Sequence, residues 1–408
     1  MQSTMPAHTL QTVGWLVLLY LLLWAVAFLA RRTSRAEVAG RFLLTSGSLV
    51  LALGVLELLA AVDLVDYRLV LGIPINEPWR HPRNRLVPGL LHIHEPYYRG
   101  RFDGIDYRYD RHGLRNDVDY DSADIVLLGD SFVEGWKVSA DDLISRQLAE
   151  RLHGTVANLG QSWYGPQQEL ELLRRFGVPL RPRVCVWTFF EANDLDDLRR
   201  YDRATRNWEE FSRNLRPFKD RSFTRNAVLA ARRLVASARL RLTEPDLNPG
   251  GYPSGVFTEA NGRRSRMYFL DDGRPVSAAD DTALAEVGDV LRRARDLCVE
   301  SGARLVVVFI PNKFRVYATH VQADSGMPPF GVNDLPARVQ TIVREEAPDA
   351  AFLDLTPALQ EEAGRGVLTY FPGYDTHWSR EGHRAAAAAI ARFLEQWQER
   401  DGWALTTR

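Results

Sequence analysis

The sequence predicts an α/β protein with a doubly wound parallel sheet, set behind two N-terminal transmembrane helices. Three observations carry this. Five short, near-continuous apolar runs alternate with amphipathic helical patterns after residue 122. Two long apolar stretches precede them. The composition, 46% apolar and 25% charged over 408 residues, is that of a globular chain and excludes global disorder. That length allows two or three domains, or one large domain with additions.

The first apolar stretch, Thr9 to Ala30, contains no charged residue. It meets the ~20 residues a helix needs to cross a bilayer. No basic segment precedes it and no small-residue cleavage pattern follows, so it reads as an anchor and not as a removable leader. The second, Phe42 to Val62, holds one acid, Glu57. An acid is costly at mid-membrane and tolerable near an interface or against another helix. The link between the stretches carries Arg31, Arg32, Arg35 and Arg41 against Glu37 alone. Short cytoplasmic loops concentrate such charge, which puts both termini outside and the rest of the chain on the periplasmic face.

Residues 64–122 read as a linker and lead-in of turns and short strands. From 123 to 400 the α/β rhythm sets in. Strands are expected at Ile125–Leu128, Val156–Leu159, Val184–Phe190, Leu305–Ile310 and Ala351–Leu355, with helices at 141–152, 166–177, 282–301, 334–346 and 380–398. Apolar strands without polar alternation belong to a sheet covered on both faces. Such sheets place their sites beyond the carboxyl ends of the strands. The rhythm breaks at about 198–280, an insertion. Between Arg199 and Arg241 it holds 12 Arg and one Lys against four acids. This is either a solvated surface or a face for phospholipid headgroups or an anionic polymer, and Ser222–Leu242 has the spacing of a helix lying on the leaflet. A hairpin turn is expected at Asp271-Asp272-Gly273.

Net charge is -1, which offers no argument for nucleic-acid binding. Two cysteines, Cys185 and Cys298, exclude a disulfide scaffold and a cysteine-built zinc site. Asp194, Asp196 and Asp197 cluster without the spacing of a metal site, so no metal or cofactor is expected.

The first strand ends in Gly129-Asp130-Ser131. A serine after a tight turn at a strand's carboxyl end is placed to act as a nucleophile, provided a base takes its proton. Among nine histidines, His377 stands out. It precedes the last helix, which Ser379 can cap, and Asp375 lies two residues away, able to hold its second ring nitrogen. His383 belongs to the packing of that helix, and His112 is a minor candidate in a turn. Acyl transfer also needs donors for the developing oxyanion. The N–H of Ser131, the N–H of Gly160 after the second strand and the side chain of Asn193 after the third supply three.

Together these residues resemble the SGNH (GDSL-type) hydrolase superfamily, over about 120–400. Its blocks correspond to Gly129-Asp130-Ser131, Gly160, Asn193-Asp194 and the Asp375/His377 pair. The resemblance implies a three-layer α/β/α fold of the flavodoxin-like kind. It also implies a Ser131–His377–Asp375 triad with an oxyanion hole from Ser131, Gly160 and Asn193. Glu191 replaces the glycine that usually opens the third block, which would narrow the pocket or put a charge at its rim. The spacing Asp-x-His-Trp is similar to the alginate O-acetyltransferase type of SGNH domain, which acts on exported polysaccharides.

The resulting expectation is a membrane-anchored enzyme of the inner membrane acting on O-acetyl groups of a cell-envelope or exported polysaccharide, by transfer or hydrolysis. Trp136, Trp163, Tyr164 and Trp378 are candidate sugar platforms. A transferase would also need a multi-spanning partner to deliver the acyl donor. A lipid or small-molecule esterase and a catalytically idle binding module are the alternatives.

Overall fold

A computed structural model describes residues 36–73, 83–213, 218–242, 251–270, 275–324 and 332–405. The expected first membrane helix at 9–30 and the turn at 271–273 lie outside these residues. The chain divides into two units, one of residues 1–80 and 213–249, the other of 81–212 and 250–408.

In the first unit, helix α1 spans Ala36–Ala61, and its segment Gly40–Ala61 is long and apolar enough to cross a membrane. A short helix α2 (Tyr67–Val70) follows. The insertion contributes α8 (Phe218–Arg221) and α9 (Phe223–Leu242).

The second unit is built on a five-stranded, wholly parallel sheet. Its strands are β5 (Ile125–Gly129), β6 (Val156–Gly160), β7 (Val184–Phe190), β10 (Arg304–Ile310) and β12 (Ala351–Asp354). Their order is β12-β10-β7-β5-β6, so the winding reverses at β5, as in a doubly wound sheet. Successive residues of a strand face opposite sides, and here both sides are cores. Ile125, Leu127, Val184, Val186, Val306 and Val308 pack in one cluster with α4 (Ile144–Leu152) and the final helix α14 (Arg380–Asp401). Val126, Leu128, Cys185, Trp187, Val307 and Phe309 pack in another with α5 (Pro166–Leu172), α10 (Ala278–Glu300) and α12 (Leu335–Glu346). Burying each such aliphatic side chain contributes ~1.5–3 kcal/mol, which explains the lack of polar alternation. Three further helices, α6 (Asp194–Thr205), α11 (Lys313–Tyr317) and α13 (Thr356–Gly364), each begin just past a strand end.

One expectation is corrected. Residues 83–122 are part of this unit, not a linker. They form the hairpins β1 (Asn84–Val87) with β2 (Leu91–His94) and β3 (Arg99–Phe102) with β4 (Ile105–Arg108). The second turns on Asp103-Gly104, both at positive φ, the chemistry of a tight hairpin turn. While the turn expected at 271–273 stays outside the described residues, the insertion holds a hairpin of β8 (Ser254–Thr258) with β9 (Arg264–Tyr268), joined through Asn261-Gly262. Gly262 takes φ 82° there. A third strand, β11 (Val321–Ala323), pairs with β8.

Candidate active site

β5 ends at Gly129, and a one-turn helix α3 (Ser131–Glu134) begins at once. The Asp130 side chain caps α3 by accepting from the Phe132 N–H at 2.9 Å. Ser131 is the first helical residue, so its own N–H has no intrahelical acceptor. Glycine is needed at 129 and 160 for room. A Cβ on Gly129 would lie 2.1 Å from Thr188 Oγ1, and one on Gly160 2.2 Å from the Glu134 N. The first turn after β5 therefore rests directly on β6.

The segment before α14 brings Asp375 and His377 to this turn. Ser379 caps α14 by accepting from the Glu381 and Gly382 N–H groups. His377 Nε2 lies 2.9 Å from Ser131 Oγ, and its Nδ1 lies 2.8 Å from Asp375 Oδ1. A carboxylate only accepts, so Nδ1–H donates to Asp375 and Nε2 is left to accept from the serine hydroxyl. The Asp375 Oδ1 also accepts the His377 backbone N–H at 3.0 Å. Partial burial works to raise the Asp375 pKa. The bonds and charge of His377, with Lys137, outweigh it and hold the carboxyl well below the usual range.

Four residues around this line were not foreseen. Lys137 Nζ donates to Asp375 Oδ2 at 2.9 Å and lies 3.6 Å from Asp103 Oδ2. Lys137 sits at φ 59°, a left-handed conformation uncommon for a side chain with a Cβ. Lys313, almost wholly buried, donates to the carbonyls of Gly373 at 2.7 Å and Asp375 at 3.0 Å. Burial brings its pKa down to about 7, against the pull of Asp375. Glu134, behind Ser131, accepts from Tyr109 Oη at 2.6 Å and from the Ser162 N–H at 2.6 Å, and bonds His94 Nε2 at 2.9 Å. Arg115 braces the end of α3 through the Glu134 and Val138 carbonyls. The motif sequence shows none of these, because each partner is remote in the chain and unremarkable in its own context.

Several expected roles are corrected. The Gly160 N–H donates to Asn158 Oδ1 at 2.8 Å, so it is not a free oxyanion donor. Tyr164 and Trp378 are fully buried and cannot be sugar platforms. Tyr164 bonds the His92 carbonyl, and Trp378 packs edge-on against Phe132, which in turn lies 5.4 Å from the His377 ring. Glu191 is not a charge at the rim. It is buried and pairs with Arg315, whose Nε lies 2.9 Å from Oε2, and it accepts the Asn312 N–H at 2.8 Å.

Other candidates retain a place. Asn193 Nδ2 donates to Asp130 Oδ2 at 3.2 Å, which leaves one amide proton. Trp163 is exposed, with the Arg200 guanidinium 4.7 Å from its ring centre. Trp136 is half-buried, 6.1 Å from the His377 ring and 5.1 Å from exposed Phe102. His383 is buried edge-on to Trp378, and His112 packs on Phe176. In the acidic cluster, Asp194 accepts the Phe190 N–H and Asp197 pairs with Arg200.

Residues 267–408 match the family model described as SGNH hydrolase-like domain, acetyltransferase AlgX. No curated protein matches the chain. Solved structures with some likeness include the acetyl xylan esterase Est2A of Butyrivibrio proteoclasticus, at 11% identity over 68% of that chain and 74% of this one, TM-score 0.33. Another is a catalytic mutant of Axe2, an acetylxylan esterase from Geobacillus stearothermophilus, at 11% identity over 99% of that chain and 71% of this one, TM-score 0.34. A third is the α/β hydrolase LAE5 from the metagenome of Lake Arreo, Spain, at 10% identity over 95% and 67%, TM-score 0.34. At that distance the substrates in those names remain properties of those proteins. With its five-stranded parallel sheet and the family match over its C-terminal third, the chain resembles the SGNH hydrolase-like domain of the AlgX acetyltransferase kind.

Proposed function

We propose that the protein is a serine O-acyl enzyme that moves acetyl groups on or off a cell-envelope or exported polysaccharide. In this reading its active domain lies on the periplasmic side of the inner membrane and Ser131, His377 and Asp375 form the triad. The observation that carries the proposal is the unbroken hydrogen-bond line from Asp375 through His377 to Ser131.

Ser131 Oγ attacks the acetyl carbonyl while His377 Nε2 takes its proton. Asp375 holds the ring in the tautomer that can accept, and stabilises the imidazolium. The Ser131 N–H and the free amide proton of Asn193 receive the oxyanion of the tetrahedral intermediate. The intermediate collapses, the donor's oxygen leaves with the proton from His377, and an acetyl ester remains on Ser131. His377 then deprotonates the second nucleophile, which attacks the ester and returns Ser131. A sugar hydroxyl at that step makes the enzyme a transferase; water makes it an esterase. The match to an acetyltransferase domain supports transfer, and transfer requires a membrane partner to deliver the acetyl donor.

The test supplies an activated acetyl donor with and without envelope oligosaccharides and measures acetylated sugar against free acetate. Sugar product that rises with acceptor concentration supports transfer. Fast acetate release with no sugar product from any glycan assigns an esterase.

A further inference from the structure

The end of the basic insertion returns to the helix that is long enough to cross a bilayer. Within the N-terminal unit, Glu57 is only 3% exposed. Its Oε1 accepts from Ser222 Oγ at 3.0 Å and from the Thr224 N–H at 2.8 Å. Thr224 is the second residue of α9, so the carboxylate satisfies one of the N–H groups that a helix start leaves open, where negative charge is also favoured. Tyr67 packs edge-on against Phe223 at 5.1 Å, Arg221 pairs with Asp63, and Arg233 donates to the Gly72 carbonyl. The one acid in the apolar run of α1 is therefore a latch for α9. It lies one turn from the end of α1 at Ala61, the depth at which a membrane helix meets the headgroups.

Among the described residues, the opposite face of α9 has no such partners. Val228, Leu234 and Val235 are 49%, 72% and 55% exposed. Thr224, Val228, Ala231 and Val235 follow helical spacing, so they form one stripe, flanked by exposed Arg225 and Arg232. On α1 and just after it, Leu51, Val55, Leu58, Val62 and Leu64 are exposed as well. Exposed apolar side chains gathered on one helix face suit an interaction site.

We propose that α9 lies in the headgroup layer of an anionic bilayer, latched by Glu57 to the membrane-crossing helix α1. Lipid is the occupant because the stripe belongs to the same unit as the exposed apolar surface of α1. Of the arginines beside the stripe, Arg232 suits phosphate headgroups, while Arg225 pairs with Asp220. The insertion is then a membrane attachment of the chain additional to α1.

The test uses the full chain in nanodiscs of phosphatidylcholine, with and without phosphatidylglycerol. Single cysteines replace Val228, Val235, Leu51 or, outside this unit, exposed Val299; native Cys185 and Cys298 are buried. Each carries a fluorophore, and brominated lipid is the quencher. Labels at 228 and 235 are expected to be quenched at least twofold more than at 299, and more so with phosphatidylglycerol present. Glu57→Ala should return the α9 labels to the 299 level while the Leu51→Cys label stays quenched. Should that variant fail to fold, Val235→Asp, which changes an exposed position only, should lower quenching at 228. Quenching at 51 without quenching at 228 and 235 overturns the proposal. So does loss of α9 quenching on dilution of the protein, which would assign the stripe to a second copy of the chain.

Discussion

Replacing Lys137 by Met should move the acid limb of the pH–rate profile to higher pH. Lys137 lies 2.9 Å from the Asp375 oxygen that does not face His377. Its positive charge competes for the carboxylate and opposes a second positive charge on the ring. Two charges ~4 Å apart interact by ~4 kcal/mol at an effective dielectric near 20. The Lys137 side chain is 32% exposed, so screening brings the pair toward ~1 kcal/mol. The effect relayed to the ring is part of that, ~0.5–1 kcal/mol, which is ~0.5 pH unit. The sign follows: a positive charge beside Asp375 is removed, added positive charge at the site is opposed less, and the limb shifts upward. On the plateau kcat should stay within ~threefold, and Lys137→Arg should restore the original limb. The assay is kcat/KM on an activated acetyl ester between pH 5 and 9, with ring NMR of His377 in Ser131→Ala as a turnover-free control. A limb that does not move, with kcat reduced more than tenfold, would mean that Lys137 only holds the loop in shape.

Other expectations follow from the same geometry. Asn193→Ala should lower kcat by ~10²–10³-fold with little change in KM, as loss of an oxyanion donor does; steady-state kinetics decide, and an unchanged kcat removes Asn193 from the hole. Arg315→Met should destabilise the fold by ~3–5 kcal/mol in denaturant melts, because it strands buried Glu191; a loss below ~1 kcal/mol would contradict the pairing. Lys313 has a folded pKa lowered to about 7 by burial. The unfolded chain therefore binds more protons above that pH, and stability gains from about pH 7 toward 10. Lys313→Met should flatten that rise in melts across the window, and an unaltered slope would show that the lysine is not its source.

The sheet was legible because its physics is local. A strand buried on both faces must be apolar at nearly every position, and β5, β7 and β10 each show that within five to seven residues, with Thr188 and the terminal Arg304 as the polar exceptions. Ser131, Asp375 and His377 could be named as candidates because each stands at a strand or helix end whose turn chemistry is visible nearby. What surrounds them was not legible. Glu191 reads as a rim charge until Arg315, 124 residues later, is seen against it. Tyr164 and Trp378 look like platforms because a sequence cannot distinguish a buried aromatic from an exposed one. Asn261-Gly262 carries a hairpin signal in the sequence and does join two paired strands. The Gly160 amide was counted as free because its acceptor, the Asn158 side chain, is engaged only once the strand turns.

The central claim is that acetyl passes through Ser131. It is tested most directly by mixing the full chain with an activated acetyl donor, quenching in acid within the first turnover, and mapping the modified peptide by mass spectrometry. The account predicts one acetyl group on Ser131. It also predicts none in Ser131→Ala, whose turnover falls by ~10⁴–10⁶-fold with its melting transition unchanged. An acetyl group on another residue, or Ser131→Ala activity within a few-fold of the unaltered protein, would contradict it.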